Sequence, residues 1–262
     1  MRTVSLSNQK GGVAKTTTTE SLASGLSKRG YRVLAVDLDP QCNLSLGSGV
    51  DILDMEYTLY DVFKGSEGLP SLIQHTSIGY DLITGGLSLA GADMDFTQTG
   101  REYMLREALD GLKAEYDYCI IDTPPTLGIL TVNALTAADS VIIPLTADLY
   151  SIQGLSQLSL LIQRVRKYSN KGLKIAGLLI TRHDERTNVS KALSEQIAKA
   201  AEQLETVVFS KPIRNSVAVR ESQLMRSDLF TEAPKANATI DYQAFIEEFL
   251  KGENENGKQE GR

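Results

Sequence analysis

The stretch from Val4 to Thr17, VSLSNQKGGVAKTT, limits what this chain can fold into more than any other. Thr3 to Ser7 alternate apolar and small polar side chains, the period of a strand. Gly11-Gly12 follow, then Lys15-Thr16-Thr17, then a helical pattern with Leu22, Ala23 and Leu26 on one face. Strand, glycine loop and helix in that order build a phosphate loop. The glycines let backbone N–H groups turn inward as a nest for phosphate oxygens, and the helix N-terminus adds partial positive charge. In such a loop Lys15 reaches the β- and γ-phosphates of a nucleotide and the Thr16 hydroxyl ligates Mg²⁺. Gln9 and Ala14 stand where the ordinary pattern G-x-x-x-x-G-K-[ST] has glycines. The chain instead carries the variant K-G-G-x-x-K-[ST], with an additional lysine at Lys10. Without a glycine at position 14 the backbone there must keep a negative φ or accept mild strain.

Two further segments fit the same chemistry. Arg32 to Asp37 (RVLAVD) is almost wholly apolar, as expected of a parallel strand buried on both faces, and Gly30 ends the preceding helix. Strand, helix and strand within this span form a βαβ unit. Asp37-Leu38-Asp39-Pro40-Gln41 lies at the carboxyl end of that second strand, where open α/β sheets bind ligands. Tyr118 to Asp122 (YCIID) is another buried strand that ends in a carboxylate, the arrangement that binds Mg²⁺ in P-loop proteins. Thr123-Pro124-Pro125 follow it.

With K-G-G-x-x-K-T, D-x-D-P-Q and I-I-D-T-P-P in this order, the chain resembles the ParA/MinD family of deviant-Walker ATPases over roughly residues 1 to 250, and most closely its small Soj-like ParA branch. The resemblance implies an α/β fold, a mostly parallel twisted sheet with helices on both faces, and ATP with Mg²⁺ as cofactors. It implies a nucleotide site made by Lys10, Gly11, Gly12, Val13, Ala14, Lys15, Thr16 and Thr17, with Pro212 and Asn215 beside the adenine. Thr16, Asp39 and Asp122 would surround the metal, and Asp39 would position the attacking water. Lys10 would cross a dimer interface to the phosphates of the partner's ATP. The segment Asp184-Glu185-Arg186-Thr187-Asn188 matches one that carries a DNA-contacting arginine in the ParA branch, which gives that role to Arg186. A second such arginine falls at Arg214 or Arg220, and the motif spacing leaves that choice open. The implied function is a DNA-partitioning ATPase: an ATP homodimer on non-specific double-stranded DNA, released by a ParB-type centromere-binding protein. The implied location is cytoplasmic, on the nucleoid.

Composition agrees with this reading and narrows the rivals. The 262 residues suffice for one large α/β domain, at residues 1 to 250, followed by a polar tail, 251 to 262, with the composition of a disordered segment. Met1-Arg2-Thr3 enters a strand directly, which argues against a signal peptide and against the N-terminal DNA-binding extension of larger ParA proteins. A net charge of −6 confines any binding to DNA to a local basic patch. The cluster Arg164, Arg166, Lys167, Lys171 and Lys174 reads as a solvated face. A MinD-like membrane-surface ATPase needs a cationic amphipathic C-terminal helix, whereas Glu247 and Glu248 sit there. An iron–sulfur electron carrier of the same fold needs cysteines beyond Cys119, and none follows. A metabolic ligase or kinase of this fold would require a small acceptor.

Further expectations cover the rest of the chain. Short helices are expected over Tyr57 to Phe63 and Leu69 to His75, a strand over Tyr80 to Thr84, and a helix over Gly100 to Lys113. Beyond the second acidic motif come a helix at 126 to 138, a strand over Asp139 to Leu145 and a long helix striped by Ile152, Leu155, Leu158, Ile162 and Val165. A strand over Leu173 to Thr181, a helix over Val189 to Leu204, a last strand over Val207 to Phe209 and a final helix over Ile240 to Leu250 complete the prediction.

Overall fold

In a computed structural model, which describes residues 1–183 and 188–260, the buried runs become the middle of one sheet. Its strands are β1 (Arg2–Leu6), β2 (Val33–Asp37), β3 (Ile73–His75), β4 (Asp81–Ile83), β5 (Tyr118–Asp122), β6 (Ser140–Thr146) and β7 (Lys174–Thr181). They lie in the order β3-β4-β2-β5-β1-β6-β7. All neighbours pair in parallel except β3 with β4. The phosphate-loop strand β1 therefore lies inside the sheet, between β5 and β6.

The first connections are α1 (Lys15–Ser27), α2 (Asn43–Gly47), α3 (Leu59–Phe63), α4 (Ala92–Asp95) and α5 (Met104–Asp110). Next come α6 (Ile129–Ala137), α7 (Leu149–Tyr168) and α8 (Asn188–Gln203). The chain ends in α9 (Val217–Leu224), α10 (Leu229–Glu232) and α11 (Asn237–Glu260). Alternation along the central strands feeds two cores. Val33 and Ala35 face α1 and α11, whereas Leu34 and Val36 face the α3–α6 side, as the two-residue period of a strand requires. Gly25 lets α1 and α11 approach: a Cβ there would lie 2.3 Å from Ile246 Cδ1. Gly30 (φ 88) closes α1 through Gly30 N–H to Ser27 O (2.9 Å) and Tyr31 N–H to Leu26 O (3.3 Å), the paired bonds of a Schellman turn.

The departures from expectation are local. Leu69–Leu72 is a 3₁₀ turn that leads into strand β3 rather than a helix to His75, because Pro70 at its start suits a single tight turn and Ile73 pairs with Ile83. Gly100 to Lys113 narrows to a 3₁₀ turn at Arg101–Tyr103 followed by α5. Val207 to Phe209 forms only an isolated bridge, Val208 with Leu178, at the sheet edge. The final helix runs from Asn237 to Glu260, so the helix continues through Glu260 where a disordered tail was expected. Gly252, Asn254, Asn256 and Gly257 give this segment little helix propensity of its own, and Arg2 Nε pairs with Glu253 Oε2 (2.5 Å), which ties the start of the extension to β1.

Candidate nucleotide-binding and hydrolysis site

The carboxyl ends of β1, β2, β5, β6 and β7 converge on the loop between β1 and α1. Asn8 anchors that loop. Its side chain donates to Pro144 O of β6 (2.7 Å) and accepts from the Lys10 N–H (3.0 Å). Gly12 has φ 74, and Ala14 takes the left-handed conformation (φ 60, ψ 33) as N-cap of α1. Of the two possibilities for Ala14, the chain accepts strain, on the order of 1–2 kcal/mol for a residue with a Cβ. Among the described residues the other non-glycine positions with positive φ are Cys42, Arg182, Glu205 and Arg226. Ala14, Arg182 and Arg226 line the site and Cys42 adjoins it, so strained backbone is concentrated here.

Lys15 is buried, and its ammonium donates to Lys10 O (3.3 Å). Burial pushes its pKa down while the carboxylates of Asp122 and Asp39 pull it back up. Thr16 Oγ1 donates to Asp122 Oδ2 (2.6 Å), and Thr19 Oγ1 approaches Asp122 Oδ1 (3.3 Å). Asp37 is held by Ser45 N–H (2.9 Å), Ser45 Oγ (2.8 Å) and Asp39 N–H (3.1 Å). Asp39 caps the turn by accepting from Gln41 N–H (2.9 Å). Burial raises the pKa of Asp122 and Asp37; repulsion from Asp37 adds to the rise at Asp122, whereas the bonds from Ser45 and the Asp39 N–H partly offset it at Asp37. A divalent cation beside Asp122 would relieve that repulsion.

Two hollows flank the loop. One, of about 790 Å³, is walled by Gly11, Gly12, Ala14, Lys15, Thr16, Thr17, Asp39, Gln41 and Pro125 among others. The second, of about 330 Å³, shares Gly12, Ala14 and Thr17 and adds Arg182, Ile213, Asn215, Arg220 and Tyr242. The first suits phosphates with metal and the second suits a base with its sugar. Among the described residues, the N–H groups of Gly11, Gly12, Val13 and Ala14 have no hydrogen-bond partner, as a nest for anionic oxygens requires. No cluster of three His, Cys, Asp or Glu that could cage a metal occurs among the described residues. Thr16 Oγ1 and Asp122 Oδ2, side by side, offer the one or two protein oxygens that Mg²⁺ takes, with the remainder from phosphate and water.

Most of the residues expected from sequence meet here: Gly11, Gly12, Ala14, Lys15, Thr16, Thr17, Asp39, Asp122 and Asn215 all line the hollows or touch one another. Val13 is buried beneath the loop, its carbonyl accepting from Thr181 Oγ1 (3.1 Å). Pro212 lies outside the walls of the base-side hollow. The chain joins that wall at Ile213, whose N–H bonds Ile180 O (2.8 Å). Arg214 is committed to the fully buried Asp241, through Nη2 to Oδ1 and Nε to Oδ2 (both 2.8 Å). Arg220 is exposed on α9. Arg186 lies outside the described residues. His75 pairs with Asp81 (2.6 Å) at the antiparallel edge, and Cys42 and Cys119 are buried and free.

Lys10 points away from its own phosphate site. Its ammonium forms an ion pair with Asp148 Oδ2 and donates to Thr146 Oγ1 (3.1 Å) and Ser151 Oγ (3.4 Å). Partial burial works against ionisation of Asp148, but the bonds from Lys10, Thr146 and the Ser151 N–H outweigh it and hold the carboxyl at about 2. Sequence reasoning missed Asp148 and Arg182. The available signal was position, since each follows the carboxyl end of a buried strand.

This loop, the Thr16–Asp122 pair and the strand-end carboxylates define a P-loop ATPase that works with ATP and Mg²⁺. Residues 1–175 match the family model described as an AAA domain. The chain is 43% identical over 198 residues to the sporulation initiation inhibitor protein Soj of Bacillus subtilis, covering 75% of this chain and 78% of that protein. It is 42% identical over 203 residues to the chromosome partitioning protein ParA of Caulobacter vibrioides, covering 76% and 74%. A crystal structure of cobyrinic acid a,c-diamide synthase from Mycobacterium smegmatis, with bound ATP analog and magnesium, superposes with TM-score 0.84 at 35% identity over 96% and 95% of the chains. A putative plasmid partition protein from Borrelia burgdorferi bound to AMPPNP gives 0.79 at 26% identity over 95% and 98%. The chain belongs to the Soj/ParA family of P-loop ATPases.

Proposed function

We propose that this protein is a DNA-partitioning ATPase whose ATP-loaded form is a dimer on non-specific duplex DNA. The observation that carries the reading is Lys10. It is the additional lysine of the deviant loop, and it bonds Asp148 rather than its own nucleotide nest. An ammonium so placed can reach the phosphates of a second copy once it leaves Asp148.

Within each copy Lys15 and the loop N–H groups hold the β- and γ-phosphates, and Thr16 with Asp122 holds Mg²⁺. Bound there, Mg²⁺ would supply charge neutralisation of the phosphates. Asp39, at the end of β2, orients the attacking water, and phosphoryl transfer to water needs little beyond such positioning. Arg220 is the better candidate of the second pair for phosphate-backbone contact, because Arg214 is held by Asp241. Arg186 would join Arg220 on DNA, and pairing two copies doubles the number of cations. A ParB-type centromere-binding protein then stimulates hydrolysis and release, and nucleoid association follows from the DNA contact. Among the described residues no helix is long and apolar enough to cross a membrane, and α11 carries Glu247, Glu248, Glu253 and Glu255, which disfavours an anionic lipid surface.

The test is ATP turnover and sedimentation with and without bulk duplex DNA, in wild type and Lys10→Ala. Wild type should form an ATP-dependent dimer that binds DNA at low salt, and Lys10→Ala should remain monomeric. Turnover that requires a small acceptor molecule, or an ATP-loaded wild type that ignores DNA, would overturn the proposal.

A further inference from the structure

We infer that Arg182, with Thr181 beside it, is a positioning residue that sets the phosphate loop in its nucleotide-receiving shape. The inference rests on the ATPase site and is independent of DNA partitioning. These two consecutive residues at the end of β7 hold two consecutive carbonyls of the loop. Thr181 Oγ1 donates to Val13 O (3.1 Å), sharing its one proton with Leu145 O of β6 (3.2 Å), and Arg182 Nη1 donates to Gly12 O (3.1 Å). A trans peptide points its C=O and the following N–H in opposite directions. Drawing the Gly12 and Val13 carbonyls toward β7 therefore turns the N–H groups of Val13 and Ala14 away from β7. Both N–H groups lack a partner among the described residues. The clasp thus aims two donors of the nest before any phosphate arrives, which reduces the ordering required on binding.

Arg182 is held to this task at some conformational expense. Its φ is 50, the left-handed region that a side-chain-bearing residue rarely adopts. The residue also lines the base-side hollow. One guanidinium nitrogen thus bonds the loop from the wall where the base and sugar would sit. The link is short in space and long in sequence, 170 residues from Gly12.

Because the clasp acts on the loop and not on the γ-phosphate, it should affect ATP and ADP alike and leave the chemical step alone. Arg182→Met keeps the aliphatic stem and removes the donors. It should raise the Kd of both nucleotides about tenfold, with kcat at saturating ATP within about twofold of wild type. Arg182→Lys should recover part of the loss, because an ammonium can still donate to Gly12 O. Thr181→Val should weaken both nucleotides in the same sense and Thr181→Ser should not. Fluorescent-nucleotide titration and steady-state kinetics read these quantities, and nucleotide-free melting separates them from lost folding. Unchanged Kd values in both Arg182→Met and Thr181→Val would overturn the inference. So would a loss confined to ATP, which would mean a γ-phosphate contact, or a loss of melting temperature at unchanged affinity.

Discussion

Glu20 offers a measurable test of how burial shapes the α1 side of the site. It lies one turn beyond the phosphate loop and is only 5% exposed. The groups around it are the carboxylate of Asp228 at the start of α10, the hydroxyls of Tyr80 and Tyr242, and the backbone of Gly47 on α2. Lys28 is engaged with Asp228 (3.1 Å). Burial, and then repulsion from Asp228, pushes the Glu20 carboxyl from 4.5 up to about 7. The folded protein therefore retains a proton that the unfolded chain has released between these values, and stability falls as pH rises from 4.5 to about 7. Above that range the full penalty applies, about 3 kcal/mol at about 1.4 kcal/mol per pH unit. Glu20→Gln keeps the shape and removes the charge. It should be stabilised by about 3 kcal/mol at pH 8 and by much less near pH 5, equivalent to a rise in Tm of about 6–10 °C at pH 8. Urea midpoints of both proteins at pH 5, 6.5 and 8 supply the comparison. A difference that does not change with pH, or a variant no more stable at pH 8, would refute the argument.

Other outcomes follow from particular contacts. Asp39→Ala should still bind ATP and dimerise but lose turnover, which single-turnover hydrolysis in the dimer would reveal. Thr16→Ala removes the hydroxyl bonded to Asp122 and should weaken Mg²⁺-dependent nucleotide binding while metal-free binding changes little, as a titration with and without chelator would show. Gly25→Ala drives a Cβ into Ile246 and should destabilise by about 1–3 kcal/mol, whereas Ala14→Gly relieves a left-handed residue and should be neutral or better by about 1 kcal/mol in the same urea series. Arg220→Glu should weaken duplex binding at low salt, measured by filter binding, with nucleotide affinity titrated alongside because Arg220 also lines the base-side hollow.

Much of the site was legible because its signals are local. The β1–loop–α1 order lies within neighbouring residues, and Asp39 just follows, and Asp122 closes, an apolar strand of the kind expected inside a parallel sheet. Lys10 shows where local reading stops. Its type and place in the motif are plain, but the partner that holds it, Asp148, is 138 residues away and is brought near only by β1 lying against β6. Arg214 and Arg220 looked equivalent in sequence, and the burial of Asp241 under one of them separates the two. The misjudged helix at Leu69 to His75 failed because a short apolar run carries no period strong enough to distinguish a 3₁₀ turn plus edge strand from a helix. The continuation of α11 depended on an anchor, Glu253 on Arg2, that tail composition cannot reveal.

That anchor also fixes where the molecule can be handled. Arg2 opens β1 at the sheet end remote from the phosphate loop, and Glu253 brings the last helix to the same pole. A dye or tether attached there would ride behind the working face, leaving both the nucleotide mouth and the Lys10 side free to meet whatever they meet.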